Sequence, residues 1–189
     1  MKKILNDPFK YVDEMLEGMC LAHPDLYRQT GESGRVITRN SEIGEGKVGI
    51  VSGGGSGHLP IFTGYVGKGL LDACAIGDVF ASPSVEQMAD AMRAADGGAG
   101  VLRLYGNYGG DIMNFDMAGE MLEMEDISST TVLLADDVAS SPKEEREKRR
   151  GVAGMVYAYK IAGAASEQMK NQEDVTRIAQ KTADACHSV

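Results

Sequence analysis

Residues 47–58 read Lys47-Val48-Gly49-Ile50-Val51-Ser52-Gly53-Gly54-Gly55-Ser56-Gly57-His58, an apolar, β-branched run that empties into a glycine-rich turn. A buried strand feeding such a turn is a site geometry of α/β proteins, because ligands bind outside the carboxyl ends of parallel strands. The same pattern returns at Gly100-Val101-Leu102-Arg103-Leu104-Tyr105, which runs into Gly106-Asn107-Tyr108-Gly109-Gly110-Asp111 ahead of a Met-rich helix over about 112–125. Further strands are expected at Val36-Ile37, over 72–80 and at Thr130-Thr131-Val132-Leu133-Leu134-Ala135. Strands alternating with helices predict an α/β fold, a three-layer sandwich with a mostly parallel sheet covered by helices on both faces.

The helical segments lie between these strands. Asp7 before Pro8 offers an N-cap with proline at the first helical position, and Phe9, Val12, Met15, Leu16 and Met19 recur at helical spacing until His23-Pro24. Ile61, Phe62, Tyr65 and Val66 suggest a short helix. Ser82-Pro83-Ser84-Val85-Glu86-Gln87 supplies a cap serine, a helix-starting proline and a Ser-x-x-Gln capping box for a helix over 83–95, which Gly97-Gly98 stops. The mixed-sign run from Lys143 to Arg150 reads as the solvated start of a long helix over 152–170. A last amphipathic helix turns Val175, Ile178, Ala179 and Thr182 inward.

A chain of 189 residues is expected to form one domain over residues 1–189, and at that length roughly 70% of the unfolded surface can be buried. A net charge of −9 argues against a binder of the nucleic-acid backbone. Cys20, Cys74 and Cys186 are odd in number and widely spaced, so they read as reduced core residues of a cytoplasmic protein, with no metal site. Asp7 and Pro8 interrupt the N-terminus before a signal peptide can form, and nowhere do about 18 apolar residues follow one another, so no membrane segment is expected. The eleven methionines read as core filler.

Three familiar loop chemistries fail on spacing. A dinucleotide fingerprint beginning at Gly53 and Gly55 needs glycine where His58 stands, and a nucleophile elbow on Ser56 needs glycine at the same place. A Walker A loop needs a terminal Gly-Lys-Ser/Thr, and none follows. What remains is a run of unobstructed backbone amides, Gly53, Gly54, Gly55, Ser56 and Gly57, beside the His58 imidazole. Such a nest can wrap a small oxygen-rich ligand; its plainer role is a tight turn. Asp111 reads as an N-cap, and an ionised carboxylate at the positive end of a helix can also accept a proton from a substrate hydroxyl. Arg149 and Arg150 are candidate contacts for a phosphate or a partner.

Taken together, these segments resemble the ketose-binding subunit or domain of the dihydroxyacetone kinases, along nearly the whole chain. The resemblance is carried by Ser52-Gly53-Gly54-Gly55-Ser56-Gly57-His58, Ser82-Pro83, Asp96-Gly97-Gly98-Ala99-Gly100-Val101, Asn107-Tyr108-Gly109-Gly110-Asp111 with Asn114-Phe115, Asp136-Asp137-Val138-Ala139 and Arg149-Arg150-Gly151-Val152-Ala153. It implies that the backbone of 53–57 and His58 hydrogen-bond the ketose, with Gly106 also at the substrate, and that Asp111 takes the proton from the hydroxyl being phosphorylated. It further implies a homodimer and a separate partner subunit or domain that supplies the phosphoryl group, carrying ATP or ADP with Mg, or acting as a phosphoprotein of the sugar phosphotransferase system.

Three positions depart from the family pattern. Leu59 stands where the family usually has Glu, and Gly106 where it usually has Lys. Losing an ammonium at 106 should open space and favour a longer ketose such as erythrulose. The family's covalent substrate histidine lies beyond the matching stretch, and His187 falls in a different motif, so the residues are expected to be an N-terminal portion that binds weakly and does not turn over alone. A non-catalytic ketose sensor is the alternative reading, and a flavodoxin-like nucleotide binder a weaker third.

Overall fold

The computed structural model describes residues 3–58 and 60–189. Among them one sheet holds six strands: β1 (Tyr27–Thr30), β2 (Val36–Arg39), β3 (Lys47–Gly55), β4 (Ala73–Gly77), β5 (Gly98–Gly106) and β6 (Ser129–Leu134). Their spatial order is β1-β2-β4-β3-β5-β6. The β4–β3, β3–β5 and β5–β6 pairs are parallel, while β2 is antiparallel to both β1 and β4. The sheet is thus mostly parallel, with the polar β1 closing one edge.

Alternation along the strands sorts the core into two layers. Val48 and Ile50 of β3, Cys74 and Ile76 of β4, and Leu102 and Leu104 of β5 share one face with Leu16, Tyr159, Ala162 and Val175. These last belong to α1 (Tyr11–Ala22), α4 (Gly154–Glu167) and α5 (Gln172–Ala185). Val51, Ala73, Ala75, Val101 and Tyr105 point the other way, onto Met88, Met92, Phe115 and Leu122 of α2 (Val85–Ala95) and α3 (Gly109–Glu123). Helices therefore cover both faces, as the alternating pattern predicts. No helix of the described residues is long and apolar enough to cross a membrane.

Several local expectations change. Residues Pro8–Lys10 form a tight 3₁₀ turn, capped where the Asp7 carboxylate accepts from Phe9 N–H at 2.9 Å, before α1 begins. That shift of period throws Phe9 out of phase, and it is 93% exposed while Val12 and Leu16 are buried. The Val36-Ile37 strand is half of a hairpin whose partner, Tyr27–Thr30, lacks apolar alternation because it is an edge. The capping box forms at Ser84 and Gln87, with both hydrogen bonds made, so Pro83 lies outside α2 rather than at its first turn. The charged run makes a 3₁₀ segment, Lys143–Lys148, separated from α4 by an extended stretch.

At the amino ends of β3 and β4 sits a buried ion cluster. Asp72 takes Lys47 Nζ at 2.5 Å and Arg39 Nε at 3.2 Å, and also accepts from Ile50 N–H at 2.9 Å. Arg39 reaches on to Glu167, fastening the last turn of α4 to the sheet. The opposite, carboxyl ends of the strands are left free for a site.

Candidate functional site

β3 extends further than its apolar run, because Gly53, Gly54 and Gly55 continue the parallel ladder opposite Ala75, Ile76 and Gly77. Gly53, Gly54 and Gly55 are therefore strand residues rather than a turn, and because the β3–β5 ladder stops at Val51 they pair with β4 alone. Glycine at 54 permits a close approach: a Cβ there would collide with the Cζ and Cε2 edge of the Phe62 ring. Residues Ser56–His58 then make one 3₁₀ turn, anchored where Ser56 N–H donates to the Asp78 carbonyl at 3.2 Å, and the buried Ser56 hydroxyl has no partner. Leu59, one of the family departures, lies outside the described residues.

Beyond these strand ends lies a cavity of about 350 Å³. Gly55, His58 and Phe62 form one wall, Phe80 and Ser82 from the loop after β4 a second, Tyr108 and Asp111 a third, and Gly151, Val152 and Met155 the fourth. Of the residues singled out in the sequence, the cavity gathers Gly55, His58 and Asp111. Gly53, Gly54, Ser56, Gly57 and Gly106 are not in its lining.

The His58 ring sits edge-on to two aromatic rings, Phe80 at 5.4 Å and Phe62 at 6.4 Å between centroids. Phe80 holds this place with φ of 56°, a left-handed conformation that costs a non-glycine residue energy and recurs at ligand sites. Nothing in the local sequence announces it. Ser82, read as a cap, lines the cavity instead, while Ser84 caps α2.

Asp111 does not cap α3. The N-cap is Tyr108, with extended backbone and no side-chain cap bond, and Asp111 lies in the first turn. Asp111 is 7% exposed, and its Oδ1 has no hydrogen-bond partner among the described residues. Burial pushes its pKa above the ordinary carboxylate value, against the pull of the Ser82 hydroxyl and of His58. A carboxylate freed from capping and desolvated, with one oxygen left unpartnered, is a stronger proton acceptor than a solvated one.

Gly106 ends β5 and is buried, but it opens no space. A Cβ there would lie 2.9 Å from the Tyr108 ring and 3.2 Å from Met155 Sδ, so the side-chain volume at 106 is already filled by Tyr108. That corrects the expected enlargement of the site. The fourth wall is positioned by Asp136, whose carboxylate accepts from Val152 N–H at 3.0 Å, Gly154 N–H at 2.8 Å and the Ser188 hydroxyl at 2.5 Å. Burial raises the Asp136 pKa, yet these donors outweigh it and hold the carboxyl below its ordinary value. Arg149 points elsewhere, donating through Nε to the Ser141 carbonyl at 3.0 Å. Among the described residues no group of three or more His, Cys, Asp or Glu could hold a metal ion.

Comparison with known proteins gives the following. A Dak1 domain model matches residues 17–189. The PTS-dependent dihydroxyacetone kinase 1, dihydroxyacetone-binding subunit DhaK, of Listeria innocua is 45% identical over 181 residues, covering 96% of this chain and 54% of that protein. The L-erythrulose 1-kinase of Mycolicibacterium smegmatis is 40% identical over 188 residues, covering 100% of this chain and 32% of that protein. The crystal structure of the dihydroxyacetone kinase of C. freundii, native form, superposes with a TM-score of 0.89 at 34% identity, covering 96% of this chain and 33% of that one. The chain thus spans about half the length of the first relative and about a third of the second.

Proposed function

Because the chain belongs to the Dak1 family, we propose that its cavity holds a short ketose for phosphorylation, with the phosphoryl donor supplied by a partner subunit or domain. The observation that carries this reading is the convergence on one cavity of His58 and the buried Asp111, whose Oδ1 has no partner among the described residues. Asp111 accepts the proton from the ketose hydroxyl as that oxygen takes the phosphoryl group, and His58 with the Gly55 backbone holds the polyol. A partner presenting ATP or ADP with Mg, or a phosphoprotein, brings the donor in line with that hydroxyl; this chain's own residues are asked only to bind, orient and deprotonate the sugar. A homodimer in the cytoplasm completes the reading.

The substrate class is a ketose of three or four carbons. One relative is named for dihydroxyacetone and another for L-erythrulose, and the filled volume at Gly106 removes the sequence argument for the longer sugar. The test is binding of dihydroxyacetone and L-erythrulose to the chain by calorimetry, followed by phosphoryl transfer in a donor-supplied assay. Binding of at least one ketose, and a loss of about 10²- to 10⁴-fold in transfer for Asp111→Asn, are expected. Binding of neither sugar overturns the site, and wild-type transfer by Asp111→Asn overturns its role as base. Ketose binding with no transfer from any donor would favour the sensor alternative.

A further inference from the structure

The Tyr108 ring packs where a side chain at 106 would begin, 2.9 Å from the place of its Cβ. Three groups crowd that corner: the Tyr108 ring, Met155 Sδ, and Gly151, whose own Cβ position would lie 2.7 Å from Gly106 Cα and would collide with the Leu134 carbonyl. Across it the Tyr108 hydroxyl donates to the Gly151 carbonyl at 3.1 Å. Tyr108 and Gly151 both line the cavity, side by side. Neighbouring bonds fix the same two walls together. Asn107 Nδ2 donates to the carbonyls of Glu147 at 2.8 Å and Arg149 at 2.7 Å, and Asp136 holds Val152 and Gly154. Tyr108 differs from those latches because its ring itself forms part of the cavity surface.

We propose that Tyr108 is a positioning and size-determining residue of the cavity, a strap from the β5–α3 junction to the Gly151 backbone that glycine at 106 admits. The proposal rests on the ketose-binding reading for its ligand, though not for its geometry. Burial raises the phenol pKa, against the pull of Arg150 and with Asp111, Asp136 and Asp137 adding to it, so the hydroxyl stays a donor. The same side chain is also the N-cap residue of α3, two positions after the glycine, so its placement and that of Asp111 in the first turn are linked. A ring held there limits how long a polyol the cavity accepts; removing it leaves room for one further CHOH unit.

Four variants of the chain decide the matter: Tyr108→Phe, Tyr108→Ala, Gly106→Ala, and Gly106→Ala combined with Tyr108→Ala. Dissociation constants for dihydroxyacetone and L-erythrulose are measured for each, after circular dichroism has shown the fold retained. Tyr108→Ala is expected to move the ratio of the two constants at least about fivefold toward erythrulose. Tyr108→Phe keeps the ratio within about twofold while weakening both sugars about threefold, since it removes the strap's hydrogen bond and keeps its ring. Gly106→Ala should weaken ketose binding at least about fivefold alone and by less than about twofold in the Tyr108→Ala background, because the ring it displaces is then gone. An unchanged ratio in Tyr108→Ala, or equal effects of Gly106→Ala in both backgrounds, overturns the proposal. If the wild-type chain binds neither sugar, the ketose reading fails, and the strap is judged by melting temperature alone. Gly106→Ala lowering Tm only when Tyr108 is present upholds it, and equal losses with and without Tyr108 overturn it.

Discussion

His58 and Asp111 face one cavity from the carboxyl ends of two adjacent parallel strands, β3 and β5, and Asp111 Oδ1 has no hydrogen-bond partner among the described residues. His58 rests between aromatic edges, and Asp111 is buried with Oδ1 unpartnered. Groups left unsatisfied by the fold are available to a ligand, and keeping them so costs stability.

Asp111→Asn should therefore stabilise the chain at neutral pH while abolishing transfer. The folded carboxyl has a raised pKa, so the folded state holds its proton more tightly than the unfolded one, and stability declines as pH climbs through the ordinary value of 3.8 toward the folded one. Urea denaturation should show the variant more stable by about 1 kcal/mol at pH 7. The gain should vanish in acid, below both pKa values. A gain independent of pH would place the effect elsewhere.

Asp136→Asn should act in the opposite sense. Its folded pKa is lowered, so its contribution is present above the ordinary 3.8 and is lost as pH falls through the folded value. Replacing a charged acceptor of two backbone N–H groups and a hydroxyl should cost about 1.5–3 kcal/mol at pH 7. Chemical denaturation across pH should show the difference from wild type closing in acid, and faster amide exchange at Val152 and Gly154 should accompany it.

Gly54→Ala should impair both fold and site. The added methyl meets the Phe62 ring, which is both core and cavity wall. Overpacking of this kind costs about 1–3 kcal/mol. Calorimetry should find ketose binding weakened in the same variant; unaltered stability would mean that Phe62 moves aside freely.

Asp72→Asn tests the far end of the sheet. Removing the carboxylate leaves the buried Lys47 and Arg39 with Glu167 alone as a counter-charge, and breaking a buried ion pair in this way costs about 3–5 kcal/mol. The cluster lies at the amino ends of the strands, so ketose affinity measured on the folded fraction should stay within about twofold of wild type.

Five of the six strands and their sequence order were legible because the local code is strong, an apolar run and then a turn or helix start, whereas the polar edge strand Tyr27–Thr30 carries no such mark. Ser84 and Gln87 show the same for a cap, since both partners lie within one turn. Where β3 ends was not legible. Three glycines look like a turn, and only pairing with β4 makes them strand. Phe80 and Met155 carry no local mark as site residues, because what places them beside His58 is the packing of separate loops around one opening.

The sequence by itself determined the layered α/β architecture, the two glycine-rich strand exits and the family, because hydrophobic period and turn chemistry act over a few residues. Only the tertiary structure decided that Asp111 is freed from capping, that Gly53 and Gly54 lie in the sheet, and that Tyr108 fills the space beside Gly106. Each of these depends on what a distant segment brings within a few ångströms, and exclusion of volume between such segments leaves no trace in the spacing of residues along the chain.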